Sequence, residues 1–276
     1  MRDPANAHLL EGPAMPGEPT RFHTAARYYL SGRPLYAAGL IRRVVQLCGL
    51  GPTHRLLDLG CGPGQLALAF ASVVKEVVGI DPEVEMLKVA RGEAERAGLR
   101  IDFREGSSRD LDNHLGAFRV VVIGRAFHWM DRPDTLTRLD RIIEPGGAVV
   151  LFGDDHPKIP DNRWVEVFRQ MIDRYAEADS ERAGRRGPDW LRHEAVLLDS
   201  PFPHLERIGV IERRATPVEQ LVDRALSLSS VSHALIGPRA DDLAREVRDA
   251  MTPFAVAGVL SEVVESQALI ARRESV

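Results

Sequence analysis

The sequence predicts an α/β fold, a mostly parallel seven-stranded sheet with helices on both faces and a helical lid. Three observations carry this. Between residues 55 and 152, β-branched apolar runs alternate with amphipathic helical stretches, the rhythm of parallel strands joined by crossover helices. The first run ends in a glycine loop, Gly60-Cys61-Gly62-Pro63-Gly64. After Gly153 the rhythm changes, and two further strand-like runs enclose helical material.

The elements follow in chain order. Residues 1–19 scatter Pro4, Gly12, Pro13, Pro16, Gly17 and Pro19 among charges, the composition of a flexible leader without a signal-peptide core. An aromatic and arginine-rich segment over residues 20–36 leads into a helix at Leu35–Leu47, and together they cover the core at its N-terminal end. Strands are expected at Arg55–Gly60, Glu76–Ile80, Arg100–Arg104, Arg119–Ile123 and Ala148–Phe152. Helices fall between them at Gly64–Ser72, Glu83–Ala97 and from Asp131 to Ile143. Asp131 is suited to cap the last of these, with Pro133 in its first turn. The strand–helix core with its N-terminal cover thus spans 20–153, and residues 154–201 are expected to form a lid insertion with one helix, Trp164–Tyr175, and an exposed loop over DSERAGRRGPDW. Residues 202–276 add strands Leu205–Arg214 and Ser266–Arg272 to the same sheet, with a helical insertion over 217–252.

Composition narrows the partners. The 276 residues are 44% hydrophobic and 28% charged, with a formal net charge of −4, the balance of a globular protein with no global field for nucleic acid. The positive charge is nearly all arginine, with lysine only at Lys75, Lys88 and Lys158. Cys48 and Cys61 lack both a disulfide framework and metal-ligand spacing, so no metal and a reducing, cytoplasmic compartment are expected. No apolar run reaches membrane-spanning length.

The loop carries the chemistry. Gly60 and Gly62 allow a tight turn that brings backbone N–H groups and a helix start toward a polar ligand, and Pro63 stiffens it. Position 65, where the dinucleotide fingerprint has its third glycine, is Gln65. Asp81, at the end of the second strand, is placed to accept hydrogen bonds from both ribose hydroxyls of a nucleoside cofactor, or else to cap its own helix.

At this point the chain resembles the class I S-adenosylmethionine-dependent methyltransferases, with their Rossmann-like fold. The resemblance rests on LLDLGCGPG at 56–64, VVGIDPEVEML at 77–87, GSSRDL at 106–111, VVIGRAFHWM at 121–130 and LDRIIEPGGAVV at 139–150. It is nearer to the branch acting on small molecules in quinone and natural-product (secondary-metabolism) pathways. It implies S-adenosylmethionine as cofactor and S-adenosylhomocysteine as product. Asp58 would lie by the methionine amino group, Gly60, Gly62 and Gly64 would line the loop, and Asp81 would hold the ribose. Pro82 or Met86 would pack near adenine, framed by Ser107 and Ser108; the acidic side chain common in the family is missing from those two positions. Tyr29 or Arg33, in a segment that also holds Tyr28 and Tyr36, would close the methionine carboxylate end, with an aromatic cluster securing the first helix as the alternative.

The acceptor side is less determined. Arg125 fits either a ligand group or a loop-bracing salt bridge. Phe127 and Trp129 fit either the walls of an acceptor site or packing against the next helix. His128 is the candidate catalytic base, or a structural hydrogen-bonding group. Tyr28 of the N-terminal segment and His156 and His233 of the lid are candidate acceptor contacts; Trp164, Trp190 and His193 also fall in the lid, and Arg182–Arg186 is a solvated run or an attractor of acidic substrates. The expected reaction is in-line methyl transfer to oxygen or nitrogen of a small metabolite by a monomer or homodimer. Alternatives are C-methylation of a quinone-like acceptor, an NAD-dependent oxidoreductase and a non-catalytic nucleoside-binding protein.

Overall fold

A computed structural model describes residues 25–185 and 187–274, except the side chain of Glu181. The leader expected over 1–19 lies outside the described residues. Seven strands form one sheet in the order β3-β2-β1-β4-β5-β7-β6. These are β1 (Arg55–Leu59), β2 (Glu76–Asp81), β3 (Asp102–Glu105), β4 (Phe118–Gly124), β5 (Ile143–Asp155), β6 (His204–Pro217) and β7 (Val259–Arg272). The first five run parallel, and β7 is antiparallel to both β5 and β6. All seven expected strands are present, the last three longer than their apolar runs suggested. The Glu144–Gly147 turn is absorbed into β5 as a register shift opposite Phe118–Val120.

Each central strand is buried on both sides because its side chains alternate between two cores. From β4, Val120 and Val122 pack with Leu56, Phe70 and Leu87 beneath α2 (Ala38–Leu47), α3 (Gln65–Phe70) and α4 (Val84–Arg96). Val121 and Ile123 face the other way, toward Leu136 and Leu139 of α5 (Arg132–Ile142) and Leu197 of a later helix. Asp131 caps α5 by accepting the Asp134 N–H, with Pro133 in the first turn.

A third core is wholly helical. Trp164 and Phe168 of α6 (Arg163–Tyr175), Leu221 of α9 (Val218–Leu226) and Leu243 and Val247 of α11 (Arg239–Met251) meet there, and Tyr28 of α1 (Ala26–Gly32) packs against it. Three short helices precede or interrupt this cluster: α7 (Ser180–Gly184), α8 (His193–Leu198) and α10 (His233–Ile236). The expected exposed loop after residue 178 is therefore corrected. It opens on α7, and Asp179 is buried while accepting the Arg182 N–H. Polarity alone hid this, because a one-turn helix anchored by its own side chains needs no apolar stripe. No helix of the described residues is long and apolar enough to cross a membrane.

Candidate active site

The site lies beyond the carboxyl ends of β1, β2 and β4, where the strand order reverses between β1 and β4. Gly60 and Cys61 donate to the Ile80 carbonyl, which holds the glycine loop against β2. Gly60 has φ +69° and a Cβ there would stand 2.6 Å from the Ala126 Cβ, so glycine is required twice over. Gly62 has φ +53° and its Cβ would meet nothing, an open cradle facing outward. Gly64 caps α3 in the left-handed conformation.

Two buried carboxylates organise the loop. Asp58, between Leu57 and Leu59, turns to the opposite face of the sheet and accepts the Ala67 N–H at 2.9 Å. Burial pushes its carboxyl up to about 7, against the pull of that hydrogen bond and with a push from Asp81. Asp81 accepts the Gly62 N–H at 2.7 Å and the Glu83 N–H at 2.9 Å, and burial raises it also. Asp81 thus closes the turn before α4, whose N-cap is Glu83, and grips the loop itself, rather than capping the helix.

A small cavity of about 20 Å³ opens beside Asp58, Gly60, Gln65 and Arg125, roofed by Tyr29 and Tyr36. The Tyr36 Oη and Gln65 Nε2 are buried with no hydrogen-bond partner. Unsatisfied buried donors are costly, so a ligand oxygen at this point would remove a penalty of about 1–3 kcal/mol each. Tyr36 was expected in the segment that covers the cofactor, whereas Gln65 was not among the expected site residues, and nothing in the sequence reveals that the two converge. A second cavity, about 290 Å³, lies past β2 and β3 between Ile80, Gly106, Asp110 and Leu115.

The other expected contacts divide. Arg33 donates from Nε to Ser227 Oγ and lies over the Tyr29 ring. Arg125 is a brace: it is ion-paired to Asp154, donates to Gln65 Oε1 and the Pro34 carbonyl, and stacks on Tyr36 at 4.4 Å. Its φ of +55° and its full set of protein partners leave it holding the cavity wall. Ser107 caps a 3₁₀ turn whose Asp110 accepts from the Ser107 N–H and hydroxyl. The S-x-x-D spacing was the signal for this capping box. Pro82 is exposed at the strand end, whereas Met86 is already enclosed.

On the acceptor side, Phe127 is buried in the second core and meets His193 edge-on at 5.2 Å, which corrects its assignment to a ligand wall. Trp129 is half-buried with Arg185 above its ring at 4.2 Å. His128 lies beside Trp129 at 4.9 Å, and burial, reinforced by Arg185, His193, Arg33 and Arg132, drives its imidazole down to about 3. His156 is corrected to a structural role. Its Nε2 pairs at 2.7 Å with Glu262, which also accepts from Arg224 and Thr216 in a buried network. Tyr28 and His233, distant in sequence, stack at 5.9 Å. Of the remaining lid residues, Trp164 is core and Trp190 lies under Arg132 at 3.9 Å. Arg186, at the end of the basic run, lies outside the described residues. No group of three or more possible metal ligands occurs among the described residues.

A family model described as a methyltransferase domain matches residues 56–147. The demethylmenaquinone methyltransferase of Thermus thermophilus is 36% identical over 156 residues, 54% of this chain and 70% of that one. The chain belongs to the class I S-adenosylmethionine-dependent methyltransferases. A second relative, the demethylmenaquinone methyltransferase of Lactococcus lactis, is 32% identical over 148 residues, 51% of this chain. The chain spans only 54% of that relative's length, and 59% of that of an uncharacterized methyltransferase from Schizosaccharomyces pombe. Its fold matches the crystal structure of a putative type II methyltransferase from Anaeromyxobacter dehalogenans with a TM-score of 0.57 at 23% identity, covering 87% of this chain and 97% of that one.

Proposed function

We propose that the protein binds S-adenosylmethionine and methylates an oxygen or nitrogen of a small metabolite. The observation that carries this is the pairing of opposite needs in one cavity. The buried donors Tyr36 Oη and Gln65 Nε2 lack an acceptor, while Asp58 offers a carboxylate a few residues away. An α-amino acid moiety answers both, its carboxylate to the donors and its ammonium to Asp58. Tyr29 and Arg33 border the same end. The cavity holds little more than one water, so cofactor entry requires residues 29–36 to move outward.

The adenosine end falls to Asp81, whose oxygens retain acceptor capacity beyond the two N–H groups they hold, and to the cavity beside Gly106 and Asp110. Ser107 and Ser108, next to Gly106 in the chain, would frame the adenine there, and the exposed Pro82 would supply an apolar face. The cofactor would supply a methyl group already activated on a sulfonium cation. The chain's task is then to orient the acceptor beside His128 and Trp129 and to exclude water. The acceptor gains the methyl carbon and loses a proton, either to His128 or to solvent. The names of the two demethylmenaquinone methyltransferases support an organic small-molecule acceptor.

Calorimetric titration with S-adenosylhomocysteine and with NAD tests the reading. Saturable binding of S-adenosylhomocysteine and none of NAD is expected. Tight NAD binding without S-adenosylhomocysteine binding would refute it.

A further inference from the structure

Arg125 walls one side of the cavity beside Asp58, and its partners decide what that cavity offers a ligand. It follows Gly124 at the end of β4 in the left-handed conformation, with φ +55°. Each of its three guanidinium nitrogens donates to a protein oxygen. Nε goes to Asp154, Nη1 to Gln65 Oε1 at 3.2 Å and Nη2 to the Pro34 carbonyl at 2.9 Å. Burial pushes the Asp154 carboxyl up, but Arg125 beside it outweighs this and holds it below its ordinary value, so the ion pair keeps its charges.

A guanidinium has five donors and no acceptor, so it binds only the oxygen end of an amide. The nitrogen end is left over: Gln65 lines the cavity, and its Nε2 is buried there with no partner. The same guanidinium lies over the Tyr36 ring at 4.4 Å. A Cβ at Gly124 would stand 2.9 Å from the Tyr36 Oη, so glycine and arginine together seat the second unpartnered donor. We infer that Arg125, held by Asp154, is a positioning residue: it fixes Gln65 Nε2 and Tyr36 Oη as donors for the cofactor's carboxylate and so makes the cavity select nucleosides that carry one. This rests on the S-adenosylmethionine reading and adds to it the group that sets the polarity of the carboxylate end. Arginine suits the task where lysine does not, because a planar fork serves three acceptors at once and still stacks on a ring.

The test compares S-adenosylhomocysteine with its decarboxylated analogue, which keeps the adenosine, thioether and amine, by calorimetric titration alongside thermal melts. The unaltered protein should prefer S-adenosylhomocysteine by at least about 10-fold, the scale of hydrogen bonds to a charged group. Gln65→Glu keeps an oxygen for Arg125 but turns a second oxygen to the cavity, so the preference should vanish or reverse through loss of S-adenosylhomocysteine binding. Arg125→Lys keeps the charge beside Asp154 without the fork; it should shrink the preference and leave the analogue's affinity unchanged. Should that variant melt below the assay temperature, Gln65→Glu decides the amide's orientation on its own. If Gln65→Glu binds both ligands as well as or better than the unaltered protein, the amide oxygen faces the cavity and the inference falls. Equal loss of both ligands in Arg125→Lys, a preference intact in either variant, or no preference in the unaltered protein also overturns it. Absence of S-adenosylhomocysteine binding to the unaltered protein would instead overturn the cofactor reading.

Discussion

Asp58 sets a pH dependence that can be worked from the structure. Its carboxyl is 1% exposed and stands at about 7, against an ordinary 3.8. If the ionised form holds the cofactor's ammonium, binding at pH 5 must first ionise a group two units below its pKa. That costs about 2.7 kcal/mol, at ~1.36 kcal/mol per unit, so affinity for S-adenosylhomocysteine should fall roughly 100-fold from pH 8 to pH 5. Stability runs the other way. A folded-state pKa raised above the unfolded value stabilises the free protein below about pH 4, and that contribution is lost as pH rises through about 7. Asp58→Asn keeps an oxygen for the Ala67 N–H and abolishes the titration, so its binding should be weak and nearly flat with pH. Calorimetry from pH 5 to 8 on both proteins decides. A pH-independent affinity in the unaltered protein, or an equal slope in the variant, would refute the placement of Asp58 at the amino group.

Three further outcomes are expected. Asp81→Asn should weaken S-adenosylhomocysteine binding by roughly 10- to 100-fold, the ~1.5–3 kcal/mol of charge-assisted hydrogen bonds; unchanged affinity in calorimetry would leave Asp81 as a brace of the glycine loop and of the turn before α4 only. Gly60→Ala should abolish binding and lower Tm, because its Cβ would meet Ala126 at 2.6 Å, while Gly62→Ala should cost only about 1–2 kcal/mol of left-handed strain; equal effects in thermal melts would contradict the open cradle at Gly62. Glu262→Gln strands a buried Arg224 and should cost about 3–5 kcal/mol, or roughly 10 °C in Tm. Burial alone pushes the Glu262 carboxyl up, but His156, Arg224 and Thr216 hold it well below its ordinary 4.5. The stabilisation is therefore present at neutral pH and lost as pH falls below about 4, so melts of the variant should show a shallower acid limb than the unaltered protein.

The order of strands and helices through β5, the glycine loop and the β2-end acid were legible along the chain, because each is written in local periodicity or in a backbone need that only glycine meets. Asp58 and Asp81 were legible by position, at strand ends whose apolar neighbours fix which face they turn to. What each acid touches was not. Asp81 binds the Gly62 N–H, and Asp110 closes a capping box on Ser107, through turns that close over a few residues but whose direction depends on the sheet.

The acceptor side was decided by tertiary structure. Phe127, His156 and Trp129 have the same chemistry on paper whether they face a ligand or a core. Packing sent Phe127 under α5 and His156 to Glu262, across 106 residues, and left Trp129 for Arg185. The sequence by itself determined a nucleoside-cofactor fold with its loop and acids in order, since those are local properties. Only the folded chain decided that Tyr36, Gln65 and Asp58 converge and that Arg185 covers Trp129 beside His128, since side-chain convergence is set by long-range packing that no spacing along the chain encodes.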